Sequence, residues 1–147
     1  SGLVVFAKDD RSLVSMQRQF AERQVGKTYS ARLLPGRTLP RHGFVRLPLS
    51  LDYYDRPRQI VDREHGKSAV TEYELVRELP DGEVDVLFTP HTGRTHQLRV
   101  HAAHKDGLGR PIKGDKLYGG GGGNLHLRAC RISFTHPLSG ERVSFEV

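Results

Sequence analysis

The sequence predicts an α+β fold, a mixed and mostly antiparallel sheet with flanking helices, on three observations. Several segments alternate apolar and polar residues with the period of a strand, while two others repeat their apolar residues at helical spacing. Pro80-Asp81-Gly82 lies between two of the alternating segments and signals a hairpin. No internal repeat or linker divides the 147 residues, so a single domain accounts for them.

Taken in order, Leu3 to Lys8 is apolar and β-branched and predicts a strand buried on both faces. Asp9-Asp10 offers an N-cap to a helix in which Leu13, Met16, Gln17 and Phe20 follow helical spacing until Gly26 stops it. Lys27 to Leu34 alternates through Tyr29, Ala31 and Leu33, a strand that Pro35-Gly36 ends. Arg37 to Gly66 holds several prolines, arginines and aspartates and predicts mainly loop, with one short strand around Phe44 to Leu47. Ser68 to Leu79 and Glu83 to Thr89 form the hairpin. Thr92 or Thr95 caps a second helix running through Gln97, Leu98, Val100 and Ala102 to about His104, and Gly107 and Gly109 break it. The run Gly119 to Gly123 predicts a mobile loop. Leu125 to Phe134 and Glu141 to Val147 are the last strands, around the turn Pro137-Leu138-Ser139-Gly140.

Composition narrows the class. The chain is long enough to bury a core without a disulfide or metal staple. No apolar run approaches the roughly 20 residues of a membrane helix, and Leu3 to Ala7 is too short for a signal-peptide core. The single cysteine, Cys130, excludes an internal disulfide and a Cys-rich zinc site. Its alternating surroundings predict a buried structural thiol, suited to a reducing cytoplasm. A net charge of +6 predisposes the domain to polyanions, nucleic acid being the commonest. The opening Ser1-Gly2-Leu3, without methionine and almost inside a strand, reads as a cut rather than a beginning.

The densest polar segment runs from His91 to His101, after a strand and at a helix start. Arg94 and Arg99 there are able to clamp carboxylate or phosphate with their planar forks, and a solvated basic helix is the alternative. His101 and His104 share a helix face near His96, the basis of a metal-dependent hydrolase reading, yet no further ligand stands at a recognisable spacing. Gly114-Asp115 reads as a turn with an Asx cap. Arg37, Arg41, Arg46, Arg56 and Arg58 make the long loop basic, either tracking phosphates or simply solvated. Tyr29, Tyr53, Tyr54 and Tyr118 are stacking candidates for unpaired bases or, equally, core-edge residues.

Together, Lys27-Thr28-Tyr29-Ser30-Ala31, Gly66 to Tyr73, Thr92 to His101, Pro111 to Asp115 with Tyr118-Gly119, and Leu127-Arg128-Ala129 followed by Phe134 to Pro137 resemble the successive blocks of RluA-type RNA pseudouridine synthases. Leu47-Pro48-Leu49 through Arg56-Pro57-Arg58-Gln59 is similar to the RluA subgroup. The resemblance spans nearly the whole chain, and its Gly-Arg-Thr-His-Gln-Leu-Arg-Val-His run is highly specific. It implies the pseudouridine synthase fold and cofactor-free isomerisation of uridine to pseudouridine in structured RNA, rRNA or tRNA, in the cytoplasm, with no membrane and no metal. It makes residues 1–147 the C-terminal major part of a catalytic domain, with the fold incomplete at the N-terminal side.

The resemblance also implies roles. Tyr29 stacks on the flipped base, Arg94 pairs with the catalytic aspartate, and Leu127 packs beneath the tyrosine. Arg56, Arg58, Arg99 and Lys113 are the expected RNA contacts. The family's aspartate stands in a His-Arg-Leu-Asp block shortly before a Ser-Gly-Leu like Ser1-Gly2-Leu3, and residues 1–147 hold no such block. These residues alone are therefore expected to be inactive; a non-catalytic RNA-binding module is the alternative. Arg128 stands where the family has histidine.

Overall fold

The computed structural model describes residues 1–147. Helix α1 (Asp10–Ala21) precedes strand β1 (Gly26–Leu33), and β2 (His42–Arg46), β3 (Leu49–Leu51), β4 (Gln59–Val61), β5 (Val70–Glu78) and β6 (Val84–Pro90) follow. Helix α2 (Gln97–Ala103) and strands β7 (Leu127–Thr135) and β8 (Arg142–Glu146) complete the chain. Six strands form one antiparallel sheet in the order β2-β5-β6-β1-β7-β8, and β3-β4 is a separate small hairpin.

The alternation in β1 sets the two faces of the sheet. Ala31 and Leu33 point to the side covered by α2 and join Val84, Val86 and Phe88 of β6, Tyr73 of β5 and Leu98 and Ala102 of α2 in the main core. Arg32 points the other way, where Asp85 accepts from it at 2.8 Å and from Arg77 at 2.7 Å. Each residue step thus changes face, as the pleat requires.

Helix α1 begins as expected, with the Asp9 carboxylate accepting the Ser12 N–H at 2.8 Å. It ends early: Arg23, at φ 58°, supplies the left-handed turn that the sequence assigns to Gly26. The helix buries Met16 against Val25 and Phe134. Its Gln19 side chain bonds both backbone groups of Thr135, each at 2.8 Å, like one more strand residue at the end of β7.

Four local expectations are corrected. Leu3 to Lys8 is not a strand. Only Gly2 bridges Ala129, and Val4 and Phe6 are exposed, because beyond Leu3 the segment has no neighbouring strand to pair with. Neither Thr92 nor Thr95 caps α2; His96 stands at the N-cap in a left-handed conformation with no side-chain cap bond. The polyglycine run is not uniformly loose, since Gly120 is buried, donates to Asp115 O at 2.7 Å and accepts from Gly114 N–H at 2.8 Å. A Cβ on Gly120 would fall 1.9 Å from Ile112 O. Cys130 is half-buried at the irregularity where Thr28 and Tyr29 shift register against β7, and its thiol faces Thr28 O at 3.4 Å.

Candidate active site

The period of two in β1 carries Lys27 and Tyr29 to the same side of the strand. There they meet the 92–94 loop that leads from β6 to α2. An open cleft of about 960 Å³ lies between them, reaching Phe20 and Arg23 at the end of α1, His91 and Arg94 from the loop, and Arg142 of β8. Four arginine or lysine side chains line it, and no aspartate or glutamate does. A second, mainly apolar cavity of about 260 Å³ lies beside Tyr29, lined by Leu3, Val5, Phe20 and Ile132 among others.

Burial has the opposite charge consequence for the two β1 side chains. It pushes the Tyr29 phenol above its ordinary value, keeping the ring neutral, and pushes the Lys27 ammonium below its ordinary value. Lys27 Nζ stands so close to the loop that a methyl group on Gly93 would come within 3.3 Å of it. Arg94 donates through Nε to Ser68 O at 2.8 Å. A guanidinium has five donors, so its fork still faces the cleft with capacity for an anion.

A buried chain of hydrogen bonds holds the loop that presents Arg94. Gln97 Oε1 accepts from the Arg94 N–H at 3.1 Å and from the Thr92 hydroxyl at 2.6 Å. Its Nε2 donates to Val70 O at 2.9 Å and Thr71 Oγ1 at 3.0 Å. Burial lowers the pKa of His101 and keeps it neutral, so the Thr71 hydroxyl donates onward to His101 Nδ1 at 2.8 Å. His101 Nε2 then donates to Leu47 O at 2.9 Å. No buried side-chain polar atom anywhere lacks a partner. Such a satisfied network has one low-energy arrangement, and it ties the loop to β5 and to the end of β2.

Of the residues singled out from the sequence, Tyr29 and Arg94 come together in the cleft. Leu127 stands opposite Ala31, diagonal to Tyr29 on the β1–β7 ladder, and packs with Tyr29 on the main core without lining the cleft. Arg99 makes a two-pronged ion pair, at 2.9 and 2.7 Å, with Asp115, which is fully buried. Asp115 also accepts the Leu117 N–H, the Asx turn expected there. Lys113 pairs with Glu83 at 3.0 Å, and Arg56 and Arg58 lie on the β3–β4 loop.

The three histidines do not converge. His101 is occupied as described, His96 Nδ1 meets the Tyr118 hydroxyl at 2.8 Å, and His104 Nδ1 accepts the Asp106 N–H. No group of three or more His, Cys, Asp or Glu side chains is arranged to hold a metal ion. Reading the sequence for sites missed Lys27, Arg23, Arg142 and Gln97. The step of two from Tyr29 signals Lys27, and a polar residue on the apolar face of α2 signals Gln97; nothing local signals the two arginines.

The fold is that of a known class. The family model for RNA pseudouridylate synthase matches residues 1–104, and the chain belongs to that family. Among curated relatives it is 40% identical to the dual-specificity RNA pseudouridine synthase RluA of Haemophilus influenzae, over 99% of this chain and 67% of that one. The RluA of Escherichia coli strain K12 is likewise 40% identical over the same shares. Of solved structures, human RNA pseudouridylate synthase domain containing 1 superposes with a TM-score of 0.81 at 26% identity, covering 96% of this chain and 61% of that one. Human RNA pseudouridylate synthase domain containing 4 gives 0.72 at 23% identity, a likeness of fold. No helix is long and apolar enough to cross a membrane.

Proposed function

We propose that residues 1–147 form the major part of the catalytic domain of an RNA pseudouridine synthase acting on rRNA or tRNA in the cytoplasm. One observation carries the reading: Tyr29 and Arg94 share a cation-lined cleft that lacks any carboxylate. A base-modifying enzyme must take its base out of the stack. In this reading the flipped uridine stacks on the neutral Tyr29 ring. The N1–C1′ bond breaks with help from an aspartate carboxylate, the uracil turns, C5 bonds to C1′, and the C5 proton leaves. Arg94 keeps that carboxylate ionised and oriented, as an adjacent guanidinium does. Lys27, Arg23 and Arg142 meet the phosphates on either side, and Leu127 supports the tyrosine from the β7 side.

The missing piece is the acid. Asp9 caps α1, Asp115 is bound to Arg99, and Asp52 accepts a backbone N–H in the β3–β4 loop, so none faces the cleft. In the family's pattern the acid belongs to a His-Arg-Leu-Asp block. Residues 1–147 alone are therefore expected to bind RNA without isomerising it. The test is tritium release from RNA labelled at uridine C5. A longer chain carrying the block should release tritium and lose this with Asp→Asn, while residues 1–147 release none. Release by residues 1–147 alone would overturn this assignment of the acid.

A further inference from the structure

The loop joining β3 to β4 is closed on itself. Asp52 N–H donates to Arg58 O at 2.9 Å, Arg58 N–H donates to Asp55 O at 2.9 Å, and Tyr54 N–H donates to Asp52 Oδ1 at 3.0 Å. Both loop carboxylates are consumed internally, since Asp55 also takes the Arg58 guanidinium at 2.9 Å. What the loop turns outward is aromatic. Tyr53 is 72% exposed and Tyr54 102%, the two most solvent-facing tyrosine rings in the chain. The Arg56 guanidinium, with no carboxylate partner, lies 5.1 Å from the Tyr53 ring centre.

Tyr54 buries none of its surface and Tyr53 only about a quarter, so the fold gains little by presenting them. The same loop is linked to the Arg94 segment by way of Tyr118. Gln59 N–H donates to the Tyr118 hydroxyl at 2.9 Å, Arg58 lies over the Tyr118 ring, and that hydroxyl meets His96, two residues beyond Arg94. Tyr118 thus joins the base of the loop to the segment that carries Arg94.

We propose that the Asp52–Arg58 loop is a stacking platform for unpaired RNA bases near the target uridine, Tyr53 and Tyr54 supplying the ring faces and Arg56 the adjoining cation. The inference rests on the RNA-modifying reading above and adds to it a site that recognises single-stranded rather than duplex RNA. RNA is favoured over a protein partner because the rings stand at a loop tip beside a free guanidinium, on a chain of net charge +6. A flat ring in the open matches the face of any base, whereas protein anchors fill pockets.

The test measures affinity of the full chain for an RNA stem-loop and for a blunt duplex of the same length. Tyr53→Ala/Tyr54→Ala should weaken stem-loop binding about tenfold or more, leaving duplex binding, its salt dependence and the Tm unchanged. Tyr53→Phe/Tyr54→Phe, which keeps both ring faces, should bind like wild type. Equal losses on stem-loop and duplex, a Phe pair as weak as the Ala pair, or a marked fall in Tm without RNA would each overturn the proposal. Wild-type binding to the stem-loop with no loss in the Ala pair overturns the platform alone. Absence of any wild-type RNA binding overturns both the platform and the RNA-modifying reading.

Discussion

Arg94 and Arg99 belong to one short motif and carry the same guanidinium, yet their surroundings are opposite. Arg99 is clamped by both oxygens of Asp115, a carboxylate with no exposure at all, and its own side chain is 19% exposed. Arg94 bonds a backbone carbonyl and turns the rest of its fork to a cleft without acids. The first arginine is a closed structural pair. In the proposed reading the second is an anion receptor, since no carboxylate lines the cleft around it. Residue type decides neither role; the presence of a buried carboxylate does.

The Arg99–Asp115 pair carries the largest expected effect on stability. Asp115→Ala leaves the Arg99 charge without its partner and should cost about 3–5 kcal/mol of stability, read by denaturant unfolding. Asp115→Asn should cost less, and RNA affinity per folded molecule should stay near wild type in both. Gln97→Ala comes next, because it strands the Thr92 hydroxyl and the Arg94 N–H, an expected loss of about 1–3 kcal/mol. It should also lower kcat in the aspartate-bearing chain more than it raises KM, since it loosens the loop that aims Arg94.

A smaller effect appears in the pH dependence. His101 is fully buried, and burial depresses its pKa. The unfolded chain therefore takes up a proton that the folded chain refuses. The stability this neutral histidine lends is whole above the unfolded value of about 6.5. It is lost as pH falls from there through the lower folded value. Below pH 6.5 the wild type should lose stability more steeply than His101→Gln, by at most about 1.4 kcal/mol per pH unit. His96 shifts in the same direction and is common to both proteins, so the difference isolates His101. The smallest expected effect sharpens the cleft itself. Lys27→Gln should reduce the salt slope of RNA binding by about one phosphate contact and leave the Tm within about 2 °C.

Much of this architecture is legible in the residues, and the exceptions share a cause. Strong periodic signals hold where the partner is local: α1 with its Asp9 cap, the β5–β6 hairpin at Pro80-Asp81-Gly82, and β1 through Tyr29, Ala31 and Leu33. The β3–β4 hairpin escapes notice because three-residue strands leave too few positions for alternation to register. Leu3 to Lys8 misleads because β-propensity describes fitness for a half-buried pleated surface, and only Ser1 to Leu3 reaches the edge of β7. For the site, Tyr29 and Arg94 are readable from the family blocks. The Arg99–Asp115 pair joins distant residues by a contact that spacing does not encode, so the sequence offers Asp115 only as a turn cap and Arg99 only as a clamp for some carboxylate or phosphate. The start of α2 is the same kind of case, docked by Gln97 and His101 across the core rather than by a capping threonine.

The contrast between the two arginines is tested most directly by one paired measurement in a chain that carries the His-Arg-Leu-Asp block. Tritium release and Tm would be read together for Arg94→Gln and Arg99→Gln. Arg94→Gln should lower release about 10²–10³-fold, the scale for losing one oriented charge partner at a reacting centre, with the Tm within about 2 °C of wild type. Arg99→Gln should lower the Tm markedly while the molecules that remain folded keep releasing tritium. Full release by Arg94→Gln, or its loss of release only in step with unfolding, would show that Arg94 does not hold the reacting carboxylate.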